Sequence, residues 1–153
     1  MYTIRTNILR TALTQYTNFD FNSMMMFNGV MLGASDVGLY KLNCGNDDNG
    51  VNIDAYFIPI TTDFGINNPK RLRFIYFGYE SDGDIKIGVT PDEKDEKDYD
   101  IESTKIGQQR RRIPITRDQV GRYWKFKISN VDGSDFSVDS ISLIGMILNN
   151  GLR

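Results

Sequence analysis

The sequence predicts an all-β fold: an antiparallel β-sandwich, jelly-roll-like, preceded by an extended N-terminal arm or hairpin. Three observations carry this. Turn punctuation recurs every 8 to 15 residues as far as residue 84, at Asn28-Gly29, Asp36-Val37-Gly38, 45–50, 65–69 and Asp82-Gly83-Asp84, and again at 132–135. Between the turns lie short runs rich in β-branched and aromatic residues, the spacing of a sandwich or barrel rather than of βαβ units. Helical spacing is confined to Ile4, Ile8, Leu9 and Ala12, where threonine and asparagine are poor helix formers, so an arm or strand is preferred there.

The elements follow in order. Residues 1–45 form the arm and hairpin, turning at Asn28-Gly29, and the polar, glycine-bearing stretch 43–50 separates them from a sandwich domain, 46–153. Stretch 51–60 alternates Val51, Ile53, Ala55 and Phe57 against Asn52, Asp54, Tyr56 and Ile58. Pro59 lacks an amide donor, so this strand is an edge or ends there. Stretch 72–79 alternates Leu72, Phe74 and Tyr76 against Arg73, Ile75 and Phe77, and both faces are apolar past Arg73, which suits a central strand. Ile85, Ile87 and Val89 alternate with Asp84, Lys86 and Gly88, after a hairpin turn at Ser81-Asp82-Gly83. Strands are further expected over 99–106, 110–116, 123–128 and 136–148. In the last, Phe136 and Val138 have even parity while Ile141 and Leu143 have odd, which predicts a β-bulge or bend near Asp139-Ser140.

Composition argues against catalysis. The 153 residues are 40% hydrophobic and 25% charged, enough apolar content for one domain with a short attached segment. There is no histidine, which removes the commonest general base and metal ligand. The single cysteine, Cys44, sits in a polar turn and reads as an incidental free thiol. Asp132-Gly133-Ser134-Asp135 and Asn46-Asp47-Asp48-Asn49 have the chemistry of turns and lack the length of an EF-hand loop. The carboxylates of 92–102 lie in a solvated segment that would not raise a carboxyl pKa for acid catalysis. No phosphate-binding loop or nucleophile elbow is present. No enzyme, cofactor or metal site is therefore expected. No apolar run approaches the roughly 20 residues that span a bilayer, and the first twenty residues lack the apolar core of a secretory signal. Synthesis in a reducing compartment without a membrane role is the expectation.

The net charge of −2 conceals a segregation. Residues 78–104 hold 3 basic and 10 acidic side chains, net −7, and residues 105–127 hold 8 basic and 1 acidic, net +7. Neighbouring strands pairing their charges across a ladder would explain this. So would a head-to-tail contact in which an acidic edge of one copy meets a basic edge of the next. The second reading nominates Arg110, Arg111 and Arg112 on one side and Asp95, Glu96 and Asp98 on the other. Arginine contacts to phosphates would want stacking aromatics among the bases. Alternation sends Tyr123 and Trp124 to opposite faces, so no nucleic-acid partner is expected. Trp124, with Phe126 and Ile128, reads as core. Turned outward it would be a platform for a host glycan.

Several stretches carry a family resemblance. They are Tyr16-Thr17-Asn18-Phe19-Asp20-Phe21-Asn22-Ser23, Phe27-Asn28-Gly29-Val30-Met31-Leu32-Gly33-Ala34, Gly38-Leu39-Tyr40-Lys41-Leu42 and Ile53-Asp54-Ala55-Tyr56. Thr62-Asp63-Phe64-Gly65, Lys70-Arg71-Leu72-Arg73, Gly121-Arg122-Tyr123-Trp124-Lys125-Phe126 and Asp135-Phe136-Ser137-Val138-Asp139 complete them. Together they resemble a family of tailed-bacteriophage virion proteins encoded among tail genes, over residues 16–153. The resemblance implies a structural protein of the virion tail or baseplate, made in the host cytoplasm and assembling as a homo-oligomeric ring or around other tail proteins. Its alternative is a carbohydrate-binding module of a receptor-binding apparatus. Met24, Met25 and Met26 in the arm would then be adaptable contact residues.

Overall fold

Ile75, Phe77 and Tyr79 place three fully buried side chains on one side of a single twelve-residue strand, and the larger part of the molecule is built around that strand. The computed structural model describes residues 3–7, 12–16, 19–42 and 44–148. Among the described residues all regular structure is β, and every strand pairing is antiparallel. The chain divides into two compact units, Met1–Gly45 and Asn46–Arg153.

In the first unit β1 (Thr3–Asn7) pairs with β2 (Ala12–Tyr16), so Ile4 and Ala12 lie in strands; Ile8 and Leu9 fall outside the described residues. Strands β3 (Ser23–Phe27), β4 (Val30–Ser35) and β5 (Gly38–Lys41) form a meander in that order. Asn28 and Gly29 both have positive φ, 47° and 77°, the two-residue type I′ turn that Asn-Gly favours between twisted strands. One face of the meander holds a small aromatic cluster. The Phe21 ring crosses Gly33, where a Cβ would lie 2.8 Å from it, and packs 5.0 Å from Phe19 and 5.7 Å from Tyr40 between ring centres.

The second unit opens with a minimal hairpin, β6 (Asp47–Asp48) and β7 (Val51–Asn52). It continues with β8 (Tyr56–Phe57), β9 (Lys70–Ser81), β10 (Ile85–Pro91), β11 (Lys97–Ile101), β12 (Gln108–Pro114), β13 (Val120–Gly121), β14 (Trp124–Asn130) and β15 (Phe136–Ile147). One sheet runs β11-β10-β14-β8. In the other, β9 is paired along its length by β15, and by β12 and β13 on its second edge. Ile75, Phe77 and Tyr79 of β9, with Ile113, face Ile85, Ile87, Val89, Trp124, Phe126 and Ile128 of the other sheet. This is an antiparallel β-sandwich with its core between two alternating rows.

Two expected strands are interrupted or cut short, and a third changes phase. Stretch 51–60 is not continuous, because the Asn130 side chain takes the place of a neighbouring strand. Its Oδ1 accepts the Ala55 N–H at 2.8 Å, and its Nδ2 donates to the carbonyls of Ile53 and Ser134 at 2.8 and 3.0 Å. Stretch 99–106 leaves the ladder at Ile101. The Asp84 carboxylate accepts the Ser103 N–H, and the Gln109 side-chain oxygen accepts from Thr104 N and Oγ1, drawing that segment into a loop. In β9 the inward row is Leu72 and then Ile75, Phe77 and Tyr79, a change of parity. The register with β15 skips Arg73 between Leu72 and Phe74, so a bulge there shifts the phase.

The bulge expected near Asp139 is present, with the register shifting between Val138 and Ser140. Asp139 lies across β9 at Gly78, where a Cβ would come within 2.1 Å of Asp139 Oδ1 and 2.4 Å of Ser140 Oγ. The same carboxylate accepts hydrogen bonds from Gln108 and Ser140 and has little freedom to withdraw. Gly78→Ala is therefore expected to destabilise the sandwich by about 1–3 kcal/mol. Urea unfolding measures it; an unchanged midpoint would show that the bulge yields.

Candidate interaction surfaces

Alternation on β12 separates the three consecutive arginines. Ile113 and Gln109 point into the sandwich, so Arg110 and Arg112 point out. Arg110 lies over the Tyr76 ring, 5.4 Å from its centre, and Arg112 over the Phe74 ring at 4.8 Å. Each stack contributes about 0.5–1 kcal/mol at an exposed site and fixes the plane of the guanidinium. Neither arginine has a carboxylate partner among the described residues. Exposed Ile144 and Met146 of β15 complete this outer face, which joins apolar surface to two oriented cations. Arg111 is on the other side of the strand. It is half-buried and donates to the Glu102 carbonyl and Thr104 Oγ1, so it braces the β11–β12 loop and is not part of that surface.

The acidic segment divides in the same way. Asp98 pairs with Lys86 at 3.5 Å across β10 and β11, and Asp100 reaches the same ammonium at 3.9 Å, so these charges are matched within their own sheet. Asp95 and Glu96, with neighbouring Glu93, have no hydrogen-bond or ion-pair partner among the described residues. The turn that carries them is rigidly tied. Asp92 and Glu93 have φ of 47° and 59°, and the Lys94 N–H donates to the Pro91 carbonyl. Asp92 Oδ1 accepts the N–H groups of Arg122 and Tyr123 at 2.7 and 2.9 Å, and Lys94 Nζ donates to the Val120 carbonyl at 3.0 Å. The Glu96 side chain lies over Gly88, where a Cβ would meet its Cδ at 2.6 Å, which places it on the outer face of the β10 sheet. The one ion pair joining the two segments, Lys97–Asp118 at 3.4 Å, uses the minority sign of each. Ladder pairing thus does not account for the segregation of charge.

In the first unit, Met24, Met25, Met26 and Phe27 on β3 are 49 to 66% exposed. Met24 and Met26 share the face that carries the Phe21 cluster, since Met24 pairs with Gly33. Met25 and Phe27 share the opposite face with Leu32, Val30 and exposed Leu39, so both faces of the meander are apolar.

Trp124 is fully buried and its indole N–H donates to the Gly121 carbonyl at 3.2 Å. The outward platform that the glycan expectation required is absent, and Tyr123 is the exposed member of the pair. Cys44 is exposed, with its sulfur 3.4 Å from the Lys41 carbonyl. Among the described residues no group of three or more acidic or cysteine side chains is arranged to hold a metal ion, and no helix is long and apolar enough to cross a membrane. Sequence reasoning did not find Phe74, Tyr76, Ile144, Met146 or Glu93. The first two carried a signal, aromatic residues of one parity on a central strand. No family model, curated protein or solved structure matches the chain.

Asp118 titrates below the usual carboxylate range. The main cause is a hydrogen bond from the Thr116 side chain, followed by its own backbone N–H and, more weakly, Lys97. A lowered folded-state pKa means that its stabilising contribution is present above the unfolded pKa and is lost as pH falls through the folded one. Lys97→Ala is expected to leave most of this depression in place in a carboxyl-carbon NMR titration, and Thr116→Val to remove more of it. The reverse order would assign the shift to the ion pair.

Proposed function

We propose that the chain is a non-enzymatic structural subunit of a bacteriophage tail or baseplate, built into the virion through protein–protein contacts. The observation that carries the assembly reading is the β3–β5 meander, a three-stranded sheet with apolar side chains on both faces and an exposed methionine-rich edge strand. Edge strands of that kind are normally blunted by charge, proline or a covering element. Here Ser23–Phe27 has none of these in its own sequence. Methionine adapts to irregular partner surfaces, which suits contacts made around other proteins. The tail setting, and synthesis in the host cytoplasm, rest on the sequence resemblance.

Mass spectrometry of purified particles is expected to find the chain at a fixed copy number. A Met25→Asp/Phe27→Asp variant, with the sandwich intact by circular dichroism, is expected to be lost from them. Particles that lack the wild-type chain would contradict the proposal, and a variant retained at full copy number would remove the meander from it.

A further inference from the structure

We propose that Arg110 and Arg112 of one copy dock on the acidic turn around Glu93 and Glu96 of a second copy, so that copies associate head to tail. This rests on the assembly reading and names a partner for it. The two arginines project from the same face of β12, about 7 Å apart by strand geometry. Each is held against an aromatic ring of β9, so less side-chain freedom is lost on docking than for a free arginine. An aromatic and aliphatic floor topped by arginine is the composition of energetically dominant interface patches.

The complement to that patch is present on the same chain. Glu93, Asp95 and Glu96 have no side-chain partner among the described residues, and the turn that carries them is held by Asp92 and Lys94. Beside them opens a hollow of about 780 Å³ whose wall includes exposed Tyr123, with Thr90 and Lys125. The hydroxyl of Thr90 is buried there without a hydrogen-bond partner. The arginines lie on the outer face of the β9 sheet and Glu96 on the outer face of the β10 sheet, with the core between them. They therefore cannot meet within one sandwich. A contact between two different faces is heterologous, and it closes into a ring or continues as a filament according to its rotation. Bidentate arginine–carboxylate pairing would set the register, and added salt would weaken it.

Charge reversal tests this with the full chain. Arg110→Glu/Arg112→Glu and Glu93→Lys/Glu96→Lys are each checked for fold by circular dichroism, then sized by light scattering at low salt. Wild type is expected to associate, each variant alone to be monomeric, and an equimolar mixture to associate again in 1:1 proportion. Should a reversal variant unfold, Arg110→Gln/Arg112→Gln or Glu93→Gln/Glu96→Gln replaces it, and association is expected to be lost with either. Variants that still associate singly, or a mixture that stays monomeric while wild type associates, would overturn the proposal. If every form is monomeric, yet wild type enters particles and the arginine variant does not, the arginines serve another tail protein; the second-copy proposal fails and the assembly reading stands. If no form enters particles, both fail.

Discussion

The structure depends on one constraint, the period-two register that the buried rows of the sandwich impose. Ile75, Phe77 and Tyr79 are packed against Ile87, Val89, Trp124 and Ile128 with almost no exposure, and a slip of one residue in any of these strands would turn its row to water. Fully burying each such side chain contributes about 1.5–3 kcal/mol relative to leaving it exposed, so the register is strongly held. Everything on the outer faces follows from it. With Ile113 and Gln109 fixed inward, Arg110 and Arg112 have nowhere to point but outward, over the aromatic side chains of the same parity on β9. With Trp124 fixed inward, Tyr123 is delivered to the surface beside the acidic turn.

This is also why much of the sandwich was legible in the sequence. The two apolar faces of 72–79 and the alternation in 84–89 and 123–128 named core strands, and the parity change at Asp139 named a bulge, because each is a local pattern. The bulge at Arg73 was not legible. Leu72 and Ile75 are both inward, but the stretch is apolar on both faces, and its phase is fixed only by pairing with β15. Stretch 51–60 failed for a different reason. Its alternation is strand-like, yet between β7 and β8 the backbone of Ile53 and Ala55 is held by a single side chain, Asn130, some 75 residues from Ala55. The loop over 102–106 likewise depends on Asp84 and Gln109, which local periodicity does not register.

The candidate surfaces divide along the same line. Treating the arginine triplet as one patch missed that a strand splits it. Arg111 is spent on the Glu102 carbonyl and Thr104, as Asp98 is on Lys86, and neither is free for a partner. The meander of the first unit is the contrasting case. Its Asn28-Gly29 turn was plain in the sequence, but both of its faces carry apolar side chains, and among the described residues only the small Phe19–Phe21–Tyr40 cluster distinguishes one of them.

The head-to-tail proposal makes a single claim: Arg110, Arg112 and the acidic turn, which have no ion-pair partner among the described residues, would be completed by a second copy of the chain. Sedimentation velocity of the wild-type chain across a salt series tests it most directly. The account predicts a large, concentration-dependent sedimentation coefficient at low salt that falls toward the monomer value as salt approaches 1 M, where the Debye length is about 3 Å. A single monomer species at every salt concentration would contradict it.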